Sequence, residues 1–310
     1  MRYAISVILL LLISVVTTYS SAQQTGISSQ GREYFIGCIP PSYNFFTSPE
    51  IKSFYGAYVL ASSTIATTVR ISYYDADGHE STPESYTISA NGSIQVPLKL
   101  SMPLKQPKGD TIEYSSCHVV CNEPTTVEFF SKGACAGGSY LALPIQCWGK
   151  HYVVMSYHDN PGGNGGLTTH ENSSGACEII AAYDNTNVTI TPVSTTRGGH
   201  PGIYCGKNAG GSSSKSYTIT LKKGQTYTIY SAGLDPGCDL SGSTIISTKP
   251  VAVIAGHENA LTDGSAVGSF NVEQRNYMIE QMLPVEMWDT MGYLSIPNID
   301  AKGASGGNGD

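Results

Sequence analysis

The chain has 310 residues, of which only 13% are charged, and a formal net charge of −7. Charged residues usually make up about 25% of a soluble domain, and here no basic stripe or polybasic patch accumulates. Nucleic acid is therefore not an expected partner, because such binding rests on clustered Lys and Arg, and anionic lipid has nothing to hold.

The first 22 residues read as a secretory signal peptide. Arg2 supplies a small positive start, residues 4–16 an apolar stretch, and Ser20-Ser21-Ala22 a small-residue cleavage site. The apolar stretch is shorter than the roughly 20 residues a membrane-spanning helix needs. The expectation is a secreted, extracellular chain with no membrane insertion once the leader is removed.

Past the leader, short runs of β-branched and aromatic residues alternate with Gly, Pro, Asn and Asp. In a first unit, residues 31–158, they fall at 58–60, 68–74, 85–89, 93–98, 112–121, 126–130, 140–143 and 152–157. In a second unit, residues 175–297, they fall at 178–182, 187–192, 215–221, 226–230, 243–247, 251–255, 277–282 and 293–296. The Gly-rich stretch 159–174 is predicted to connect the units, or else to be a surface loop of one fused body. The tail 298–310 lacks packing residues and is predicted to be disordered. No window shows sustained helical apolar spacing, so the predicted fold is all-β: two related antiparallel, sandwich-like units.

Self-similarity argues that the units arose by internal duplication. Leu143-Pro144-Ile145-Gln146-Cys147-Trp148 is answered by Leu283-Pro284-Val285-Glu286-Met287-Trp288. Val69-Arg70-Ile71 is answered by Val188-Thr189-Ile190, and Tyr86-Thr87-Ile88 by Tyr217-Thr218-Ile219. Pro124 followed by Thr126-Val127-Glu128-Phe129 is answered by Pro250 followed by Val251-Ala252-Val253-Ile254. The order holds while loop lengths drift, as expected when insertions fall in surface connections. Trp148 and Trp288 are read as buried packing anchors of the two halves.

Eight cysteines form an even set, which in a secreted chain suggests disulfides. Cys117 and Cys121 flank an extended run that puts them about 13 Å apart, too far to bridge. The pairing put forward is Cys205 with Cys238, across a predicted hairpin. Asn91, Asn172 and Asn187 head glycosylation triplets.

No arrangement of residues specifies a catalyst, cofactor or metal. Asp75-Ala76-Asp77-Gly78 opens like a calcium loop, but Tyr86 stands where an EF-hand needs its glutamate. Between two strands it reads as a turn. His170-Glu171-Asn172 and His257-Glu258-Asn259 repeat a tripeptide with no third ligand in view. No nucleophile elbow, phosphate loop or dinucleotide fingerprint occurs.

Several ordered motifs carry a family resemblance. They begin with Gly31-Arg32-Glu33-Tyr34-Phe35 and Leu143-Pro144 through Trp148-Gly149. Leu221-Lys222-Lys223-Gly224-Gln225-Thr226-Tyr227 comes next, with Asp239-Leu240-Ser241-Gly242-Ser243 and Lys249-Pro250-Val251-Ala252-Val253. Gly256-His257 and Glu280-Gln281 through Trp288 close the series. Over roughly residues 31–297 the chain resembles the IgGFc-binding protein N-terminal domain family. The resemblance implies an extracellular setting in mucus, matrix or cell surface, and adhesion or binding of proteins or glycans; it carries over no ligand residues. The expected function is that of a binding module without enzymatic activity. The alternatives are a structural repeat, partnered by further domains of a longer chain, and a secreted hydrolase.

Overall fold

A computed structural model describes residues 28–39, 56–99, 109–132, 137–159, 173–202, 215–232, 238–261 and 275–288. The leader, the tail, Asn172, Cys205 and His170 lie outside them, as does nearly all of the Gly-rich stretch.

Fifteen strands are described, and no α-helix is present among these residues. They are β1 (Gln30–Ile36), β2 (Gly56–Ser63), β3 (Thr67–Tyr73), β4 (Glu84–Ile88), β5 (Gly92–Pro97), β6 (Thr111–Glu113), β7 (Cys117–Lys132) and β8 (Gly137–Ala142). Then come β9 (Gly149–Val153), β10 (Gly175–Ala181), β11 (Thr186–Thr191), β12 (Tyr217–Leu221), β13 (Thr226–Tyr230), β14 (Thr244–Leu261) and β15 (Arg275–Gln281). One antiparallel sheet runs β4-β3-β7-β2-β5, with β1 and β8 also on β7. The other runs β12-β11-β14-β10-β13, with β9 and β15 on β14 and β6 added at the β13 edge. Strand for strand the two sheets have one topology, as internal duplication predicts.

The chain passes between the sheets at Trp148–Gly149. Strand β9, which the predicted boundary put in the first unit, pairs with β14 of the second sheet. The Gly-rich stretch 159–174 falls between β9 and β10, inside the second unit. In the other direction β6, from the first unit, pairs with β13. The units are thereby fused.

Prolines shaped two further departures. Residues 112–121 and 126–130 read as separate strands, as did 243–247 and 251–255. In each pair the two runs meet in one long strand, β7 or β14, although residues 112 and 113 belong to the separate strand β6. Pro124 and Pro250 sit where that strand changes neighbours: β7 pairs with β3 up to Cys121 and with β2 from Thr126. A register shift between Ile246 and Val251 marks the same place in β14. A proline inside a strand is tolerated at such irregularities.

Strand β10, Gly-Ala-Cys-Glu-Ile-Ile-Ala, is buried at every position. Cys177, Ile179 and Ala181 face the second unit's own core. Ala176 and Ile180 join the core of the first unit, with Ala252 and Ile254 of β14. Burial on both faces explains why this strand reads as a continuous apolar run instead of alternating. The outer face of the second sheet thus covers the inner side of the first unit.

The turns follow their sequences. Asp75 Oδ1 accepts from the N–H groups of Asp77 and His79, and Gly78 takes φ 87°. That is the turn expected of Asp-Ala-Asp-Gly. Asp75, Asp77 and His79 bring three ligand-type atoms within 4.8 Å of one another, but Asp75 already uses an oxygen on backbone donors.

Candidate binding groove

Each unit is closed by the same lock. Leu-Pro leads into a 3-10 turn, Ile145–Cys147 or Val285–Met287, followed by tryptophan. Trp148 Nε1 donates to the Leu143 carbonyl at 2.9 Å, and Trp288 Nε1 to the Leu283 carbonyl at 3.3 Å. A Cβ on Gly31 would overlap Pro144, and one on Gly149 would overlap Pro284. Glycine at the head of each unit therefore lets that unit's closing motif pack directly on its backbone.

The two indoles then part company. Trp148 is 6% exposed and lies beside Phe35, ring centroids 6.2 Å apart. Trp288 is 53% exposed, which overturns its reading as a buried anchor. Burial of Trp148 depends on the second unit: the core it joins includes Ala252, Ile254, Tyr277 and Ile279 from that half of the chain. Among the described residues, nothing plays that part for Trp288.

Trp288 borders an open groove of about 830 Å³. Met155, Leu283, Ala255, Met278 and Glu280 also line it. Its origin can be read from strand register. Tyr34 donates to the Thr125 carbonyl and Tyr152 to that of Val251, so Thr125 and Val251 are equivalent positions. Counting along β7 and β14, Phe129 is then equivalent to Ala255. Phe129 pairs across the strands with Tyr140, and Ala255 with Glu280. In the first unit these partners are two aromatic rings, 5.2 Å apart and fully covered. In the second unit an alanine and a glutamate replace them, and the space stands open. Burial raises the Glu280 carboxyl above its ordinary 4.5, although the Gln281 N–H opposes the shift.

Two polar clusters lie deep in the fold. Glu178 in β10 is buried at the junction of the units, with Ser115 Oγ 3.5 Å from Oε1 and Gly37 against Oε2. Burial raises its carboxyl well above 4.5. Arg197 pairs with buried Glu258 at 2.6 Å, and its guanidinium lies 4.5 Å from the Tyr230 ring centroid. Glu258 belongs to the repeated tripeptide. Its neighbour His257 is buried, with Nδ1 accepting from the Asn259 N–H.

The remaining sequence candidates are scattered. Asn91, in the turn between β4 and β5, and Asn187, in β11, are both exposed and belong to different units. Cys238 is buried; its proposed partner Cys205 lies outside the described residues. Cys117, Cys121, Cys147 and Cys177 are free and buried, so the even set of eight is not fully cross-linked. Burial pushes the Cys117 thiol up to about 12, which keeps it protonated and inert. Sequence reasoning passed over Met155 and Met278, and took Glu280 and Leu283 only as parts of motifs. The signal that could have found them is the exchange of Phe129 and Tyr140 for Ala255 and Glu280 between the copies. It becomes legible only once the bulged register of the long strands is known.

No helix among the described residues is long and apolar enough to cross a membrane. No curated protein matches the chain. Residues 138–305, more than half of the chain, match the family described as IgGFc binding protein, spanning β8, the first lock and the whole second unit. The chain belongs to the IgGFc-binding protein family, a family of extracellular binding modules.

Proposed function

We propose that this chain is a secreted, non-enzymatic recognition module that binds extracellular proteins through the groove beside Trp288. Mucus, matrix and cell surface are the settings that suit it. The observation carrying this reading is the replacement of the Phe129–Tyr140 pair by Ala255 and Glu280, which leaves an apolar opening where the sister unit is solid. Large exposed apolar positions cluster at its rim: Met155, Met278, Leu283 and Trp288. Contiguous patches of this kind mark interaction sites. Aromatic residues are enriched among the anchors of protein interfaces, and methionines adapt to varied partner shapes. Glycans are the weaker ligand class, since a sugar needs several convergent hydrogen-bonding groups and, although Ser139, Ser156, Glu280 and Gln281 line the groove, apolar side chains predominate in it.

The test compares the chain with Leu283→Asp in capture of purified extracellular proteins, beside a glycan array. Protein capture by the parent chain, at least tenfold weaker for the variant, supports the reading. Capture unaffected by Leu283→Asp removes the groove from the account, and binding confined to the glycan array overturns the ligand class.

A further inference from the structure

The groove beside Trp288 carries a single carboxyl, and that carboxyl has no counter-ion. Glu280 is the one acidic residue lining the groove, and no Lys, Arg or His lines it. Glu280 Oε1 accepts from the Gln281 N–H at 3.1 Å. Partial burial and that N–H act on its protonation, and among the described residues no cation does.

Glu280 holds the place that Tyr140 takes in the first unit, and Ala255 that of Phe129. The exchange removes two rings and installs a negative charge in one step. Any apolar side chain could fill lost volume. The carboxylate narrows the choice, because a partner that covers the groove strips water from it. An ionised carboxylate left unpaired under such cover costs free energy. An apolar occupant brings nothing to offset that cost, whereas a cationic one does. The net charge of −7 also favours the approach of a cation.

The wall offers acceptors beyond the carboxylate. Ser156 Oγ gives its proton to the Gly256 carbonyl at 2.8 Å, which leaves that hydroxyl only lone pairs to offer. A guanidinium suits this set, since it carries N–H donors and no acceptor. It also gives up water more readily than an ammonium. Its methylene stem can lie along apolar surface while the head stays polar, and Met155, Met278 and Leu283 supply such surface. We propose that the groove selects an arginine side chain of the partner protein. The stem packs against Met155, Met278, Leu283 and Trp288, and the guanidinium meets Glu280.

This inference rests on the groove being a protein-binding site and adds what that site selects. The probes are two peptides, acetyl-leucyl-arginyl-leucine amide and the same peptide with citrulline, which keeps the length of arginine and lacks its charge. The chain has two tryptophans, so the two indole N–H signals in NMR report separately on the groove and on the core around Trp148. At neutral pH the arginine peptide is expected to move the Trp288 signal and to leave that of Trp148 in place. The citrulline peptide should bind about tenfold more weakly, the scale of one hydrogen bond to a charged group. Glu280→Gln, checked for folding by circular dichroism, should bring the arginine peptide down to the citrulline value. Equal binding of the two peptides to the parent chain overturns the proposal. So does a Trp288 signal that neither peptide moves, or a preference for arginine that survives Glu280→Gln. If the parent chain shows no preference yet captures an extracellular protein in a Leu283-dependent way, the groove reading stands and selection of arginine alone fails.

Discussion

Tyr34 and Tyr152 fasten their units in the same manner. Each hydroxyl accepts from the N–H of the glycine three residues earlier, Gly31 at 2.6 Å and Gly149 at 2.9 Å. Each also donates to a carbonyl just past the proline of the long strand, Thr125 or Val251. The phenol thus pins the head of the first strand to the place where the long strand changes neighbours. Both side chains are buried, so removing the hydroxyl leaves a donor and an acceptor without a partner.

Tyr34→Phe and Tyr152→Phe are each expected to lower unfolding free energy by about 1–3 kcal/mol, the cost of stranding buried polar groups. Urea denaturation of the single variants measures this. Two variants indistinguishable from the parent chain would show that the hydroxyls merely fill space.

Glu178 predicts a pH dependence with a definite sign. Its carboxyl is raised well above 4.5 by burial in the folded chain, helped by Glu113 and opposed by Ser115. The folded state holds the proton at pH values where the unfolded state has released it. The associated stability is complete below the unfolded value and is lost as pH rises through the folded one. Glu178→Gln keeps the shape and cannot ionise. Its stability should exceed that of the parent chain at pH 8, and the two should converge near pH 4. Parallel thermal-midpoint curves across that range would contradict a protonated Glu178.

How much of this was legible in the sequence depended on which faces are buried. Alternation was clear in β12, where Tyr217, Ile219 and Leu221 turn inward and threonines turn out, and the paired Leu-Pro motifs announced the duplication. The fusion of the units was hidden, because β10 and β14 are buried on both sides and a continuous apolar run does not name its neighbours. Pro124 and Pro250 looked like strand ends when they mark a change of partner inside one strand. The groove was hidden for a related reason: it consists of side chains that are missing relative to the sister unit, and their absence is visible only against the correct register.

Asn91 and Asn187 offer unequal glycosylation acceptors. Asn91 occupies the β4–β5 turn at φ 56°, exposed, with its chain reversing toward solvent. The Asn187 side chain lies within β11, where Oδ1 accepts from Thr220 Oγ1 at 2.8 Å. Expressed through a eukaryotic secretory pathway, the chain should carry a glycan at Asn91 in most molecules and at Asn187 in few. Peptide mass spectrometry after enzymatic deglycosylation reads the occupancy of each, and the reverse order would contradict the assignment.

The clearest separation of local motif from context comes from the two tryptophans. Both follow the same 3-10 turn and make the same hydrogen bond, so a purely local role predicts equal costs for their removal. Context predicts otherwise. Trp148→Ala opens a cavity in the core shared by both units and is expected to cost about 3–5 kcal/mol. Trp288→Ala removes a half-exposed ring and should change the stability of the isolated chain by no more than about 0.5 kcal/mol. Denaturation of both variants at a concentration low enough to keep the chain monomeric makes the comparison. Equal losses would mean that Trp288 is covered in solution by some part of its own chain, which would leave the groove no room for a partner.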